Sequence, residues 1–190
     1  MLDDNNLRMK LLRYLFHLFK ELEKTFYPSI KYARKIGVTM GNNNLIPDKD
    51  TWSSEPYLVT IGSNCQITKG VKLFTHGGGQ AVRQMHPDFD VFGKIVIGDN
   101  VYIGMNSLIM PGVTIADNVI VAAGSVVTKS VPKNVVVAGN PAKIICTISD
   151  YYERNKKYDL HSKRMGSKEK KIFLLNQHDT KFIKKKLLDN

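Results

Sequence analysis

The chain has 190 residues, 43% hydrophobic and 24% charged, with two cysteines and a formal net charge of +11. These values fit a soluble globular domain with appendages and argue against a disulfide framework. The basic surplus lies mainly in the two ends, and no finger, RNP-like motif or other nucleic-acid module accompanies it. Nucleic acid is therefore not an expected partner.

Residues 7–26 carry apolar side chains at 7, 11, 15, 18, 22 and 26, with Leu12, Phe16 and Phe19 beside them. That spacing predicts an amphipathic helix. Arg13 and His17 interrupt the apolar run and no cleavage site follows, so it does not read as a secretory signal. It is also too short and too charged to span a bilayer. Packing on the end of the following domain or on a neighbouring subunit is the favoured expectation, which makes His17 a helix-face residue. Arg8, Lys10, Arg13 and Lys20 crowd the polar side, so peripheral contact with a membrane surface is the alternative.

From residue 36 a repeat begins irregularly and becomes regular with Ile61, Ile67 and Leu73. Cys65, four places after Ile61, reads as a core thiol. Residues 77–93 then break the hydrophobic pattern in a polar excursion that starts Gly-rich and leaves directly after His76. A long unpatterned loop inside a compact domain points to function.

The period returns over residues 97–131. An aliphatic residue stands at every sixth position: Ile97, Ile103, Ile109, Ile115, Val121 and Val127. Four places after each comes a second small or apolar residue: Val101, Ser107, Val113, Val119, Ser125 and Val131. Six matches neither the 3.6 of a helix nor the 2 of a lone strand; it is the period of a parallel β-helix. Asn100, Asn106, Gly112, Asn118 and Gly124 suit corners that need a left-handed backbone. Pro132 and Pro141 suit the last coil. Beyond it, Ser149 or Asp150 is expected to cap a short helix and Ser167 a second one. Lys184, Lys185 and Lys186 read as a solvated charge run, with a lipid-facing patch as the alternative.

The segments EPYLVTIGSN, LFTHGGG, GKIVIGDNVYIGMNSLIMPGVTIADNVIVAAGSVVTKSVP and AGNPAKII resemble the sugar O-acetyltransferase branch of the hexapeptide-repeat acyltransferases. The likeness covers about residues 36–147. The branch includes galactoside, maltose, capsule and lipopolysaccharide acetyltransferases. The resemblance implies an all-β solenoid, a left-handed parallel β-helix, here with an N-terminal amphipathic helix and a C-terminal helical extension. The expected divisions are 1–35 for the helical segment, 36–147 for the β-helix with its excursion 77–93, and 148–190 for the basic extension.

The resemblance also implies an acetyl-CoA-dependent enzyme without a metal. His76 matches the family's catalytic histidine in a Thr-His dipeptide. Transfer of an acetyl group to a hydroxyl needs a base near neutrality, which imidazole supplies. Gly104 and Met105 match the position where the thioester docks, with a backbone N–H available for the oxyanion. Ala123 matches the pantetheine path, and Thr128, Lys129 and Lys143 match the phosphate-binding positions. Trp52, Ser54 and Glu55 precede the coil that carries His76, and an acidic residue there contacts the sugar in relatives. His86, Asp88 and Asp90 of the excursion, together with Tyr102, are further acceptor candidates.

Only His76 and His86 lie where the β-helix carbonic anhydrases need three converging histidines, so no metal site is expected. The leading expectation is O-acetylation of a saccharide in surface polysaccharide synthesis by a cytoplasmic homotrimer, with each site formed between two tubes. N-acetylation of an amino sugar, another small acceptor such as serine or an antibiotic, and a non-catalytic scaffold remain open.

Overall fold

An aliphatic side chain at every sixth residue can line one interior only if the chain turns a corner after each short strand. The computed structural model, which describes residues 9–16, 18, 19, 25 and 27–187, shows that arrangement. Strand β1 (Thr39–Met40) opens it. Three full coils follow: β2 (Val59–Ile61), β3 (Gln66–Ile67) and β4 (Lys72–Leu73); then β5 (Ile95–Ile97), β6 (Tyr102–Ile103) and β7 (Leu108–Ile109); then β8 (Thr114–Ile115), β9 (Ile120–Val121) and β10 (Val126–Val127). Strands β11 (Val135–Gly139) and β12 (Ala142–Thr147) close the tube.

Three sheets form the three walls, in the orders β1-β2-β5-β8, β12-β11-β9-β6-β3 and β10-β7-β4. Every pair is parallel except β11 with β12. Ile97 stacks on Ile115 one coil later, whereas Ile61 stacks on Ile97 across the excursion. The first pair is 18 residues apart and the second 36, so the excursion adds a whole coil's length and keeps the repeat in phase.

The interior is the predicted column. Ile97, Ile103, Ile109, Ile115, Val121 and Val127 are at most 1% exposed, and Cys65 joins them. Each such side chain is worth about 1.5–3 kcal/mol of burial. Burial pushes the Cys65 thiol up, and the thiol hydrogen donates to the Gly98 carbonyl at 3.1 Å. Ser107 and Ser125 are wholly buried, and both donate to the Ala122 carbonyl, at 3.0 and 2.7 Å.

The corners also follow the expectation: Asn100, Asn106 and Asn118 have φ of 57°, 59° and 56°, and Gly112 and Gly124 have 82° and 69°. On the corner between the first two walls, Asp99 and Asp117 accept the Ser63 and Asp99 backbone amides at 2.6 and 2.7 Å. This ladder ties each coil to the next.

The termini differ from the sequence expectation in three places. The described residues between 9 and 25 are helical, but their apolar side chains do not pack on the tube: Leu12 is 61% exposed and Phe19 66%. His17 lies outside the described residues. The helix Ile148–Asn155 is capped by Thr147, not by Ser149 or Asp150. Thr147 accepts from the Asp150 amide, and Asp150 returns the bond as the third residue of a capping box. The helix Ser167–Leu175 starts one residue earlier than a Ser167 cap requires, with Gly166 at the cap and no side-chain bond.

Candidate active site

The chain passes the three walls in a fixed order, so each corner of the prism repeats every third unit. His76 lies on the corner between the third wall and the first, directly after β4. There the excursion leaves and returns through a narrow neck. His76 bridges Phe92 in antiparallel fashion, and Gly93 donates to the Thr75 carbonyl at 2.8 Å. The neck holds the imidazole in the lining of a cleft of about 370 Å³. Ser54, Glu55, Gly79, Arg83, Asp90 and Phe92 line the cleft with it.

The imidazole is fixed on one side. Nδ1 lies 2.8 Å from Glu55 Oε2, 3.2 Å from Ser53 Oγ and 3.4 Å from Ser54 Oγ. The Phe92 ring meets it edge-on, with centroids 6.4 Å apart. Glu55 also accepts the hydroxyl hydrogen of the buried Thr75 at 2.7 Å. Burial works against ionisation of Glu55, but hydrogen bonds from Thr75, His76 and Ser54 outweigh it and hold the carboxyl below its usual range. An ionised Glu55 accepts only, so it assigns the proton to His76 Nδ1. The lone pair then resides on Nε2, whose ring is 41% exposed as a side chain.

Of the acceptor candidates, Ser54, Glu55 and Asp90 line the cleft with His76. Trp52 pairs in register with Leu73 and packs against the core, its Nε1 buried without an acceptor among the described residues. His86 and Asp88 are exposed on the excursion, and Tyr102 is 39% exposed on β6; these three do not line the cleft.

Sequence reasoning missed Ser53, Thr75, Phe92 and Arg83. Thr75 carried a signal in the Thr-His dipeptide. Arg83 carried none: its role depends on a turn that brings its Nε to the Phe89 carbonyl at 2.9 Å and its Nη2 to Asp90 Oδ1 at 3.1 Å.

All the donor-side candidates but Lys143 fall on two corners. Gly104, Met105 and Ala123 share the corner between the second and third walls. Gly104 is buried; a Cβ there would lie 2.8 Å from Ala123 Cα, which shows how closely the coils approach. The Gly104 amide donates to Val121 at 2.8 Å and is committed to the ladder. Thr128 and Lys129 follow β10, on the same corner as His76. Lys129 lines a smaller cleft of about 180 Å³ with Val131, Ala142 and Ile144, and Lys143 lies in β12 opposite Ala138. Among the described residues no group of three or more His, Cys, Asp and Glu side chains is placed to hold a metal.

Comparison with known proteins agrees with this architecture. Residues 94–129 match the family described as bacterial transferase hexapeptide (six repeats). Protein CapG of Staphylococcus aureus is 50% identical over 147 residues, which cover 76% of this chain and 86% of CapG. The chain belongs to the hexapeptide-repeat acetyltransferase family. Within it, the galactoside O-acetyltransferase of Escherichia coli is 42% identical over 109 residues, 55% of this chain and 50% of that protein. The hexapeptide-repeat acetyltransferase VCA0836 of Vibrio cholerae superposes with a TM-score of 0.51 at 22% identity, over 74% of this chain and 93% of that one, and shows the shared fold.

Proposed function

We propose that this family member transfers an acetyl group from acetyl-CoA to a hydroxyl of a saccharide, with His76 as general base. The observation that carries the reading is the Glu55–His76 pair in the lining of the cleft, with Nδ1 held 2.8 Å from the Glu55 carboxylate so that the lone pair falls to Nε2. Nε2 removes the hydroxyl proton as the hydroxyl oxygen bonds to the thioester carbonyl carbon. Collapse of the tetrahedral species breaks the C–S bond, and the imidazolium returns the proton to the departing thiolate. Glu55 acts as a positioning residue that sets the tautomer and stabilises the imidazolium. Since the Gly104 amide is spent in the ladder, the Met105 amide is the donor assigned to the oxyanion.

The donor path assigned to Gly104, Met105 and Ala123, and the phosphate contacts assigned to Thr128, Lys129 and Lys143, rest on the resemblance. The homotrimer rests on the resemblance, and the wall order supports a site shared between two chains. Within one chain, His76 stands on one edge of the prism and Met105 on another, so both reach one substrate only if two chains meet along their edges. The acceptor proposed is a sugar of a surface polysaccharide or its precursor, processed in the cytoplasm. Its support is the likeness to sugar acetyltransferases and the mixed hydroxyl, carboxylate and guanidinium lining of the cleft.

The test is thiol release from acetyl-CoA against a panel of saccharides, with the mass of the product. The reading requires acetyl-dependent release with a sugar and its loss in His76→Ala. A base-stable amide product would move the acceptor to an amino sugar, and no release with any acceptor would leave a scaffold.

A further inference from the structure

The helical residues 9–16, 18 and 19 present a surface that the tube does not use. Met9, Leu11, Leu12, Leu15, Leu18 and Phe19 are each 44–66% exposed. At about 100° per residue these six occupy roughly half the circumference of a helix, and Lys10 and Arg13 fall in the other half. The far end of the chain repeats the composition without repeating the helix. Phe182, Ile183 and Leu187 are 38%, 52% and 92% exposed and alternate with Lys181, Lys184, Lys185 and Lys186.

Charge follows the same division. Residues 36–147 hold eight Lys and Arg against seven Asp and Glu, whereas residues 1–35 hold eight against four and residues 148–190 twelve against six. The tube is nearly neutral and the two ends carry almost all of the surplus.

We infer that the N-terminal helix and the C-terminal tail together dock this protein on an anionic lipid bilayer, the helix lying in the interface plane and the lysines meeting the headgroups. Exposed apolar side chains flanked by lysines suit that boundary, where the chain is apolar on one side and cationic on the other. A protein–protein contact fits less well, because the cores of such interfaces are depleted of lysine. Among the described residues no helix is long and apolar enough to cross the membrane, so the association is peripheral. The inference does not depend on the acetyl-transfer reading.

The 190-residue chain is mixed with phosphatidylcholine vesicles and with vesicles that also contain phosphatidylglycerol, at low and high salt, and sedimented. Partition should be at least about tenfold stronger on the anionic vesicles and should weaken as salt rises. The triple substitution Leu12→Glu/Leu15→Glu/Phe19→Glu should lower it at least about tenfold. Lys184→Ala/Lys185→Ala/Lys186→Ala should lower it several-fold, at low salt alone. Light scattering should give the same oligomeric mass for every variant. If the glutamate variant does not fold, Leu15→Ala/Phe19→Ala trims exposed side chains only and gives the same readout. The inference fails if neither vesicle binds the protein, if binding ignores the helix substitutions, or if those substitutions change the oligomeric mass, which would mean that a second copy covers the helix. Acetyl transfer to a water-soluble saccharide is measured separately and should not change in any of these variants.

Discussion

Glu55 and His76 are 21 residues apart in sequence, and the carboxylate Oε2 lies 2.8 Å from the imidazole Nδ1. They meet because the chain runs once around the prism between them. Thr75 approaches the same oxygen, so the carboxylate is held from two sides and the imidazole from one.

Removing the base and removing its partner should therefore give different kinetics. His76→Ala should cost about 10²–10⁴ in kcat, the usual worth of general-base transfer. Glu55→Gln should lower kcat by about tenfold to a hundredfold with little change in KM for acetyl-CoA, since the amide no longer dictates the tautomer. Steady-state kinetics on both substrates checks the pair; a rise in KM for the saccharide alone, with kcat unchanged, would assign Glu55 to acceptor binding instead.

The same carboxylate should be visible in acid stability. An ordinary glutamate titrates near 4.5, and Glu55 is held below that in the folded chain. Its stabilising contribution is complete above the ordinary carboxylate range and is lost as the pH falls through its own lower value. Asp48 behaves alike: the Asp50 amide donates to it, and the Gly70 amide and nearby lysines add to the effect against the cost of burial. Urea unfolding from pH 6 downward should show a shallower acid loss in Glu55→Gln than in the wild type.

Arg83 should matter to the acceptor more than to the donor. It ties the excursion together through the Phe89 carbonyl and the Asp90 carboxylate and borders the His76 cleft. Arg83→Gln should raise KM for the saccharide about tenfold, the worth of one or two charge-assisted hydrogen bonds, and leave KM for acetyl-CoA unchanged. Equal effects on both substrates would place the residue in folding rather than in recognition.

The coil interior should show the costs of a packed core. Ile109 is fully buried in the second coil, and Ile109→Ala should cost about 2–5 kcal/mol in chemical denaturation. Gly104→Ala should cost about 1–3 kcal/mol, because the added methyl meets the backbone of Ala123 rather than a movable side chain.

The corners supply a finer test. Asn118 sits at φ 56° and donates through Nδ2 to Asn134 Oδ1 at 3.1 Å. Asn118→Ala should lose about 1–2 kcal/mol from backbone strain and the missing bond together. Asn118→Gly should lose less, because glycine relieves the strain. Equal melting temperatures for the two variants would show that the left-handed backbone carries no cost there.

The sequence by itself determined the tube. A side chain every sixth residue has one consistent burial solution, and Ile97, Ile103 and Ile109 enter the interior because any slip would expose the whole column. Asn100 and Gly112 at the corners follow from local backbone sterics, so they too were legible. The imidazole was legible as a residue, through its place at the start of the excursion. Its surroundings were not. Glu55, Ser53 and Phe92 reach His76 from other parts of the chain, and no local period records contacts made across a coil or through the neck of a loop. Only the tertiary structure decided that Trp52 packs inward while Glu55 faces the cleft, and that the helical residues 9–16, 18 and 19 leave their apolar side uncovered by the tube. Amphipathic spacing states that a face must be buried against something apolar; it does not name the surface that does so.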